Sequence, residues 1–107
     1  MRTLLVLLVA IFAASTPAAT ANATITRHVR VGDDLRFHPR KLRIHAGTRV
    51  VWRWGGMLLH NVTVIRGPVR FHSRTKLRGT YKHRFRSKGV YRLEDTVHRF
   101  KMTVRVS

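Results

Sequence analysis

Two histidines and a methionine differ from the rest of the sequence in what surrounds them. His60 begins a β-branched segment over residues 60–64, directly after a pair of glycines and three large apolar residues. His98 lies in a short predicted loop, and Met102 opens the last alternating segment of the chain. Imidazole nitrogen and thioether sulfur both suit copper, and a weak axial Met tunes the redox state of a copper site. His60, His98 and Met102 are therefore candidate copper ligands.

The remaining polar chemistry gives little support for an enzyme. The chain has no Cys, which excludes disulfides, thiol catalysis and thiolate-bound metals. It has four acidic residues, and the adjacent pair Asp33 and Asp34 falls in a predicted turn, where such acids favour loop geometry. No phosphate-binding glycine loop, nucleophile elbow or zinc-protease helix is present. The other histidines lie among basic residues and are predicted to be structural or surface groups: His28, His38, His45, His72 and His83.

The elements that must position these side chains are predicted to be strands. Apolar and polar residues alternate with a period of two, for example over 41–45, 80–85 and 101–106, and no segment shows a helical stripe. Glycine turns separate the segments, which gives about seven or eight short strands and an all-β sandwich or small barrel. Residues 66–79 are the least regular and are predicted to form one long surface loop.

The first residues are typical of a secretory signal. Arg2 precedes an unbroken apolar run, and small residues around Ala21 follow a Pro-containing break. The run is short for a membrane span, and no later segment approaches spanning length. The sequence therefore predicts a signal peptide over 1–21 and one domain over 22–107, released to the periplasm or to the extracellular envelope.

The charge balance is strongly positive. The chain has 22 Lys and Arg against 4 Asp and Glu, a formal charge of +18. Such a chain attracts polyanions at low salt, so anionic cell-envelope polymers or an acidic partner are candidate ligands. The basic residues also fill the outward positions of strands, where they could serve solubility alone. No helical reading element or aromatic–basic RNA motif is present, so sequence-specific nucleic-acid binding is not predicted.

Taken together, the segments resemble the cupredoxin family of small blue copper proteins, such as plastocyanin and amicyanin. Segment 37–52, with its aromatic, Pro, Gly turn and Val–Trp strand, is similar to the family's entry region. Segments 81–85 and 89–91 resemble the family's run into the ligand loop, and His60, His98 and Met102 fall at its ligand positions. The resemblance implies a Greek-key β-sandwich, copper, electron transfer and a redox or copper-handling partner.

The sequence departs from the family at one decisive position. Where the family has its Cys ligand, this chain has Asp95. A blue copper–thiolate site is therefore excluded. The set implied by the resemblance becomes His60, Asp95 and His98 with Met102 as a weak axial ligand, and two imidazoles with a carboxylate suit Cu(II), with Zn(II) or Ni(II) as alternatives. The family also implies that Asn61 and Thr96 tie the two ligand loops together. Phe100, inside the predicted loop, is expected to shield the site.

Two interpretations follow. In the first, the protein is a secreted, monomeric copper-binding protein with a site that lacks the thiolate, and it handles copper or retains some electron transfer. In the second, it is a metal-free sandwich that docks on anionic polymers or on an acidic partner through its Arg-rich faces.

Overall fold

The computed structural model describes residues 23–107, and the predicted signal segment 1–21 lies outside them. Within this range the chain forms eight strands: β1 Thr26–Gly32, β2 Arg36–His38, β3 Lys41–Ile44, β4 Thr48–His60, β5 Thr63–Arg66, β6 Lys76–Phe85, β7 Gly89–Asp95 and β8 Phe100–Val106. In these residues there is no helix long and apolar enough to cross a membrane.

The strands form two mixed sheets of four strands each. The first sheet has the order β2-β1-β4-β6 and the second has the order β3-β8-β7-β5. Each sheet contains one parallel pair, β1 with β4 and β3 with β8, and its other neighbours are antiparallel. The predicted all-β sandwich is confirmed.

The alternation of side chains along the strands produces the core. In β4, Val50, Trp52 and Trp54 point inward and are buried, while Arg49 and Arg53 point to solvent. Strand β8 buries Met102, Val104 and Val106 in the same way. Successive side chains of a strand point to opposite sides, so this pattern buries one side of each sheet against the other.

Three predicted boundaries in the middle of the chain are wrong. The glycines Gly55 and Gly56 do not end a strand, because β4 continues to His60 through a register shift between Gly55 and His60. His60 therefore ends β4 instead of beginning the next strand. The long predicted loop is shorter, because β6 starts at Lys76, which pairs with His60 and extends the β4–β6 ladder.

His83 is a structural residue at the edge of the core. Its ring stacks on Phe71 with a centroid distance of 3.6 Å and an interplanar angle of 16°. Burial lowers the pKa of His83, and the positive charge of Arg86 lowers it further. The stacked ring is therefore held in its neutral form.

This environment predicts a loss of stability in mild acid. The unfolded chain binds a proton at His83 more readily than the folded chain, so the contribution of His83 is fully present above its ordinary pKa of about 6.5 and is lost as the pH falls below it. We expect the melting temperature to fall less between pH 7 and pH 5 in His83→Gln than in the unchanged protein, as measured by circular dichroism. His28→Gln, an exposed histidine, is the control, and an equal effect of both variants would contradict the prediction.

Candidate metal centre

His60 lies at the carboxyl end of β4 and is completely buried between two carboxylates. Its Nδ1 is 2.6 Å from Asp95 Oδ2, and its Nε2 is 2.8 Å from Asp33 Oδ1. Carboxylate oxygens only accept hydrogen bonds, so the ring satisfies both of them when both nitrogens carry a proton. The three side chains form one hydrogen-bonded row, Asp33–His60–Asp95, at one end of the sandwich.

Asp95 connects this row to the turn that carries His98. It is the last residue of β7 and is fully buried. While its Oδ2 contacts His60, its Oδ1 accepts a 2.8 Å hydrogen bond from the backbone N–H of Val97. The Asp95 carboxylate therefore fixes the orientation of the His60 ring and also stabilises the turn that leads to His98.

His98 lies beside His60 and has an unpartnered nitrogen. The two imidazole centroids are 5.4 Å apart, with the rings tilted by 56°. The Nε2 of His98 is buried and has no hydrogen-bond partner among the described residues. A buried polar atom without a partner costs about 1–3 kcal/mol, so such atoms are rare unless another group satisfies them. A metal ion shared with His60 is such a group, and imidazole nitrogens bind metals at about 2 Å.

The donors are close together but are not yet arranged around a common point. Within residues 23–107, no group of three or more His, Asp and Glu side chains has the arrangement of a formed metal site. His60 Nδ1 contacts Asp95 Oδ2 directly, so these two atoms must separate to admit an ion between them. The residues fit a metal ion by their chemistry, and binding requires this hydrogen bond to be exchanged.

Met102 is not brought into this group by any contact that we observe. Its sulfur accepts a 3.3 Å hydrogen bond from the indole Nε1–H of Trp52, in the core between the sheets. The β8 side chain that contacts His60 is Phe100, whose ring meets the imidazole edge-on at 5.9 Å. Phe100, which is the first residue of β8 and not a loop residue as predicted, therefore packs against the centre.

The two loops that carry the candidate ligands are tied together by Asn61 and Thr96. The Asn61 side-chain amide donates to Thr96 Oγ1 at 2.8 Å, and its carbonyl oxygen accepts from the backbone N–H of Thr96 at 3.0 Å. This double hydrogen bond confirms the prediction for these two residues. It holds His60 and His98 near each other without any metal.

Asp33 belongs to the candidate centre although the sequence predicts only a turn residue at this position. Its Oδ2 accepts a 2.6 Å hydrogen bond from the backbone N–H of Met57. That hydrogen bond lowers the pKa of Asp33, and the hydrogen bond from His60 lowers it further. A Cβ at Gly56 would clash with the same carboxylate, so a larger residue there would require Asp33 to move. The glycine pair inside an otherwise β-branched and aromatic strand was the available signal, since such glycines often mark a close approach.

Comparison with known proteins defines the fold. No family model matches the chain, and no curated protein matches it. Among solved structures, an oxidized amicyanin mutant is similar at 22% identity and a TM-score of 0.65, covering 84% of this chain and 88% of that chain. A purple cupredoxin from Nitrosopumilus maritimus is similar at 24% identity and a TM-score of 0.63, covering 75% and 98%. A copper-containing nitrite reductase from Thermus scotoductus SA-01 is similar at 23% identity and a TM-score of 0.67, covering 92% of this chain and 25% of that one.

These similarities show that the described domain has the cupredoxin fold. The predicted recognition of that fold is confirmed. The identities are all below 25%, so they define the architecture alone.

Proposed function

We propose that this protein binds copper at a mononuclear site without a thiolate, formed by His60, Asp95 and His98. The observation that carries this proposal is the buried, unpartnered Nε2 of His98 next to the His60–Asp95 pair. Copper is the metal named for structures with this fold, which include Cu(I) forms of amicyanin mutants and a copper-containing nitrite reductase.

The donor set favours oxidised copper. Two imidazoles and a carboxylate suit Cu(II), and a hard oxygen donor in place of a soft sulfur stabilises Cu(II) relative to Cu(I). A bound copper ion would supply one-electron redox chemistry, at a lower potential than a thiolate-containing site. We therefore propose copper binding or handling as the main role, with electron transfer as a lesser one and without enzymatic turnover.

The residues around the donors have separate tasks. Asp33 holds Nε2 of His60, so that Nδ1 faces the metal position, and a carboxylate on the outer nitrogen of a ligating imidazole makes it a better donor. The proton on Nδ1 must leave before that nitrogen can bind a metal. The Asn61–Thr96 hydrogen bonds keep the second loop in place during this exchange.

Exposed apolar residues close in sequence to the candidate ligands support a protein partner. Met57, Leu59 and Val97 lie within three residues of His60 or His98 and are 85%, 49% and 42% exposed. Exposed apolar surface of this kind commonly marks an interaction site where it is contiguous. We propose that a redox or copper-handling protein docks there, with the chain acting as a secreted monomer in the periplasm or extracellular envelope.

A Cu(II) titration followed by electron paramagnetic resonance and elemental analysis tests the proposal. We expect one Cu(II) per chain, and a loss of affinity of at least about 100-fold in the His60→Ala/His98→Ala double variant, because ligand loss should exceed the effect of losing a supporting residue. His28→Ala/His45→Ala is the matched control, since it removes two exposed histidines far from the centre in sequence. Equal copper uptake by all three proteins would contradict the proposal.

Met102 was predicted as an axial ligand, and the same experiment tests that role. To bind a metal, its sulfur would have to leave the indole of Trp52. We therefore expect Met102→Leu to keep the copper signal of the unchanged protein. An altered signal would instead support axial ligation.

One observation favours the metal-free alternative as a second candidate. Both nitrogens of His60 already have carboxylate partners, so this side chain is satisfied without a metal. In that case the protein would be a binding module that uses its arginines. The absence of stoichiometric Cu(II) uptake would support this function and exclude the first.

A further inference from the structure

The outward side of the first sheet is a continuous basic surface. Its strands β1, β2, β4 and β6 contain no Asp or Glu. We call this surface the basic face, and its basic strand residues are His28, Arg30, Arg36, His38, Arg49, Arg53, Arg78, Lys82 and Arg84. In the described part of the chain, none of its arginines or lysines lies within ion-pair distance of a carboxylate.

Strand pairing places arginine directly beside arginine on this face. Arg30 of β1 is the register partner of Arg53 of β4, and Arg49 of β4 is the partner of Arg84 of β6. Register partners share a side of the sheet and lie about 4.8 Å apart, where like charges repel each other and destabilise the sheet. An anion between the two guanidinium groups of each pair removes that repulsion.

The two pairs are arranged for a long ligand. Arg49 and Arg53 are four residues apart on β4, which separates the pairs by about 13 Å along the strand. A cavity of about 730 Å³ lies beside the Arg30–Arg53 pair, and its lining includes His28 and His38 as well as the acidic residue Asp33. Arg84 is held in place, because its Nε donates to the Gly47 carbonyl at 3.0 Å and its Nη2 donates to Thr24 Oγ1 at 3.2 Å.

The carboxylates nearest to this face offset only a small part of its charge. Asp33 binds His60, whereas Asp34 is 2.8 Å from Nε2 of His38. The hydrogen bond with His38, the register partner of Arg30, lowers the pKa of Asp34, and the positive charge of Arg30 also helps to lower it. The other two, Glu94 and Asp95, belong to β7 of the second sheet. The basic face therefore keeps a large excess of positive charge for an external anion, although Asp34 offsets part of it at Arg30.

We propose that the basic face binds a linear phosphate polymer, with the Arg30–Arg53 and Arg49–Arg84 pairs as its two anchoring points. The chain contains 17 Arg and 5 Lys, and the forked guanidinium suits phosphate oxygens better than the point charge of Lys. A phosphate polymer carries a negative charge in every backbone unit, so neighbouring phosphates can bind both arginines of a pair. In an extended acidic polypeptide the side chains alternate sides, so carboxylates on one side are ~6.7 Å apart and match the arginine pairs less well.

Binding to long-chain inorganic polyphosphate, measured by calorimetry at physiological ionic strength, tests this proposal. We expect Arg30→Gln/Arg53→Gln to lose about tenfold or more in affinity, since charge-assisted hydrogen bonds are lost at one anchor. The control Arg70→Gln/Lys88→Gln removes the same charge from exposed loop positions and should lose less than about threefold. Equal losses would overturn the proposal, because net charge alone would then explain binding.

Three further measurements distinguish paired guanidinium groups from charge alone, a polymer from a single phosphate, and phosphate from carboxylate. Arg30→Lys/Arg53→Lys keeps the charge, and full retention of affinity would contradict a role for the paired guanidinium forks. Orthophosphate should bind much more weakly than the polymer, because it cannot reach both pairs at once. Polyglutamate that binds as tightly as polyphosphate would overturn the choice of phosphate. Thermal melts of each variant confirm that it is folded, and none of these outcomes depends on copper.

Discussion

An Asp95→Cys variant is expected to turn blue when Cu(II) is added. Position 95 lies at the end of β7, and its side chain touches His60 Nδ1 beside the ring of His98. A thiolate there would complete the two-His, one-Cys set on which blue copper sites depend. The measurement is the visible absorption spectrum. The variant should show the intense thiolate-to-copper band that makes such sites blue, and the unchanged protein, which has a carboxylate at this position, should not.

Val97→Cys is the matched control for the blue colour. It introduces a thiol two residues away, at a position that is 42% exposed in the same turn. We expect this variant to bind Cu(II) without the intense band. A colourless Asp95→Cys variant that nevertheless binds copper would show that residue 95 is not at the ligand position.

An Asp95→Ala variant should be strongly destabilised even without metal. Asp95 and His60 are both completely buried, and the backbone N–H of Val97 also depends on the Asp95 carboxylate. Each buried polar group left without its hydrogen-bond partner costs about 1–3 kcal/mol, and this variant leaves both His60 Nδ1 and the Val97 N–H without theirs. For a domain of this size, we expect the melting temperature to fall by more than about 10 °C.

Asp34→Ala provides the comparison for this loss. It removes an aspartate with a similar contact, 2.8 Å to His38, but both side chains are partly exposed. Exposed ion pairs contribute little to stability, so the melting temperature should hardly change. Equal losses in the two variants would show that burial of the His60–Asp95 pair does not stabilise the fold.

Much of the architecture was predictable because strand patterns are local. The alternation in 101–106 predicted β8, and the mixed apolar and basic residues from Arg49 to Trp54 predicted the buried and exposed sides of β4. The predicted boundaries failed at Gly55, Gly56 and His60. At these residues the strand continues because β4 pairs with β6 on both sides of the glycine pair, although two adjacent glycines usually mark the end of a strand.

The candidate centre was predictable only in part. The cupredoxin resemblance placed His60, Asp95 and His98 in one neighbourhood, and the Asn61–Thr96 tie followed the same pattern. Asp33 was missed because its contact with His60 spans 27 residues and depends on how the β1–β2 turn meets the end of β4. The sulfur of Met102 could not be placed either, because its contact with Trp52 spans 50 residues.

The residue types and their order along the chain were enough to predict the strands and which of their residues point inward or outward. They also determined the excess of positive charge and excluded thiol chemistry. Each of these depends on residue type or on neighbours in the sequence. The Asp33–His60–Asp95 row, the unpartnered nitrogen of His98 and the arginine pairs required the folded chain. Strand order and register bring distant residues together, and a shift of one residue would turn His60, Asp95 and the paired arginines to the other side of their sheets.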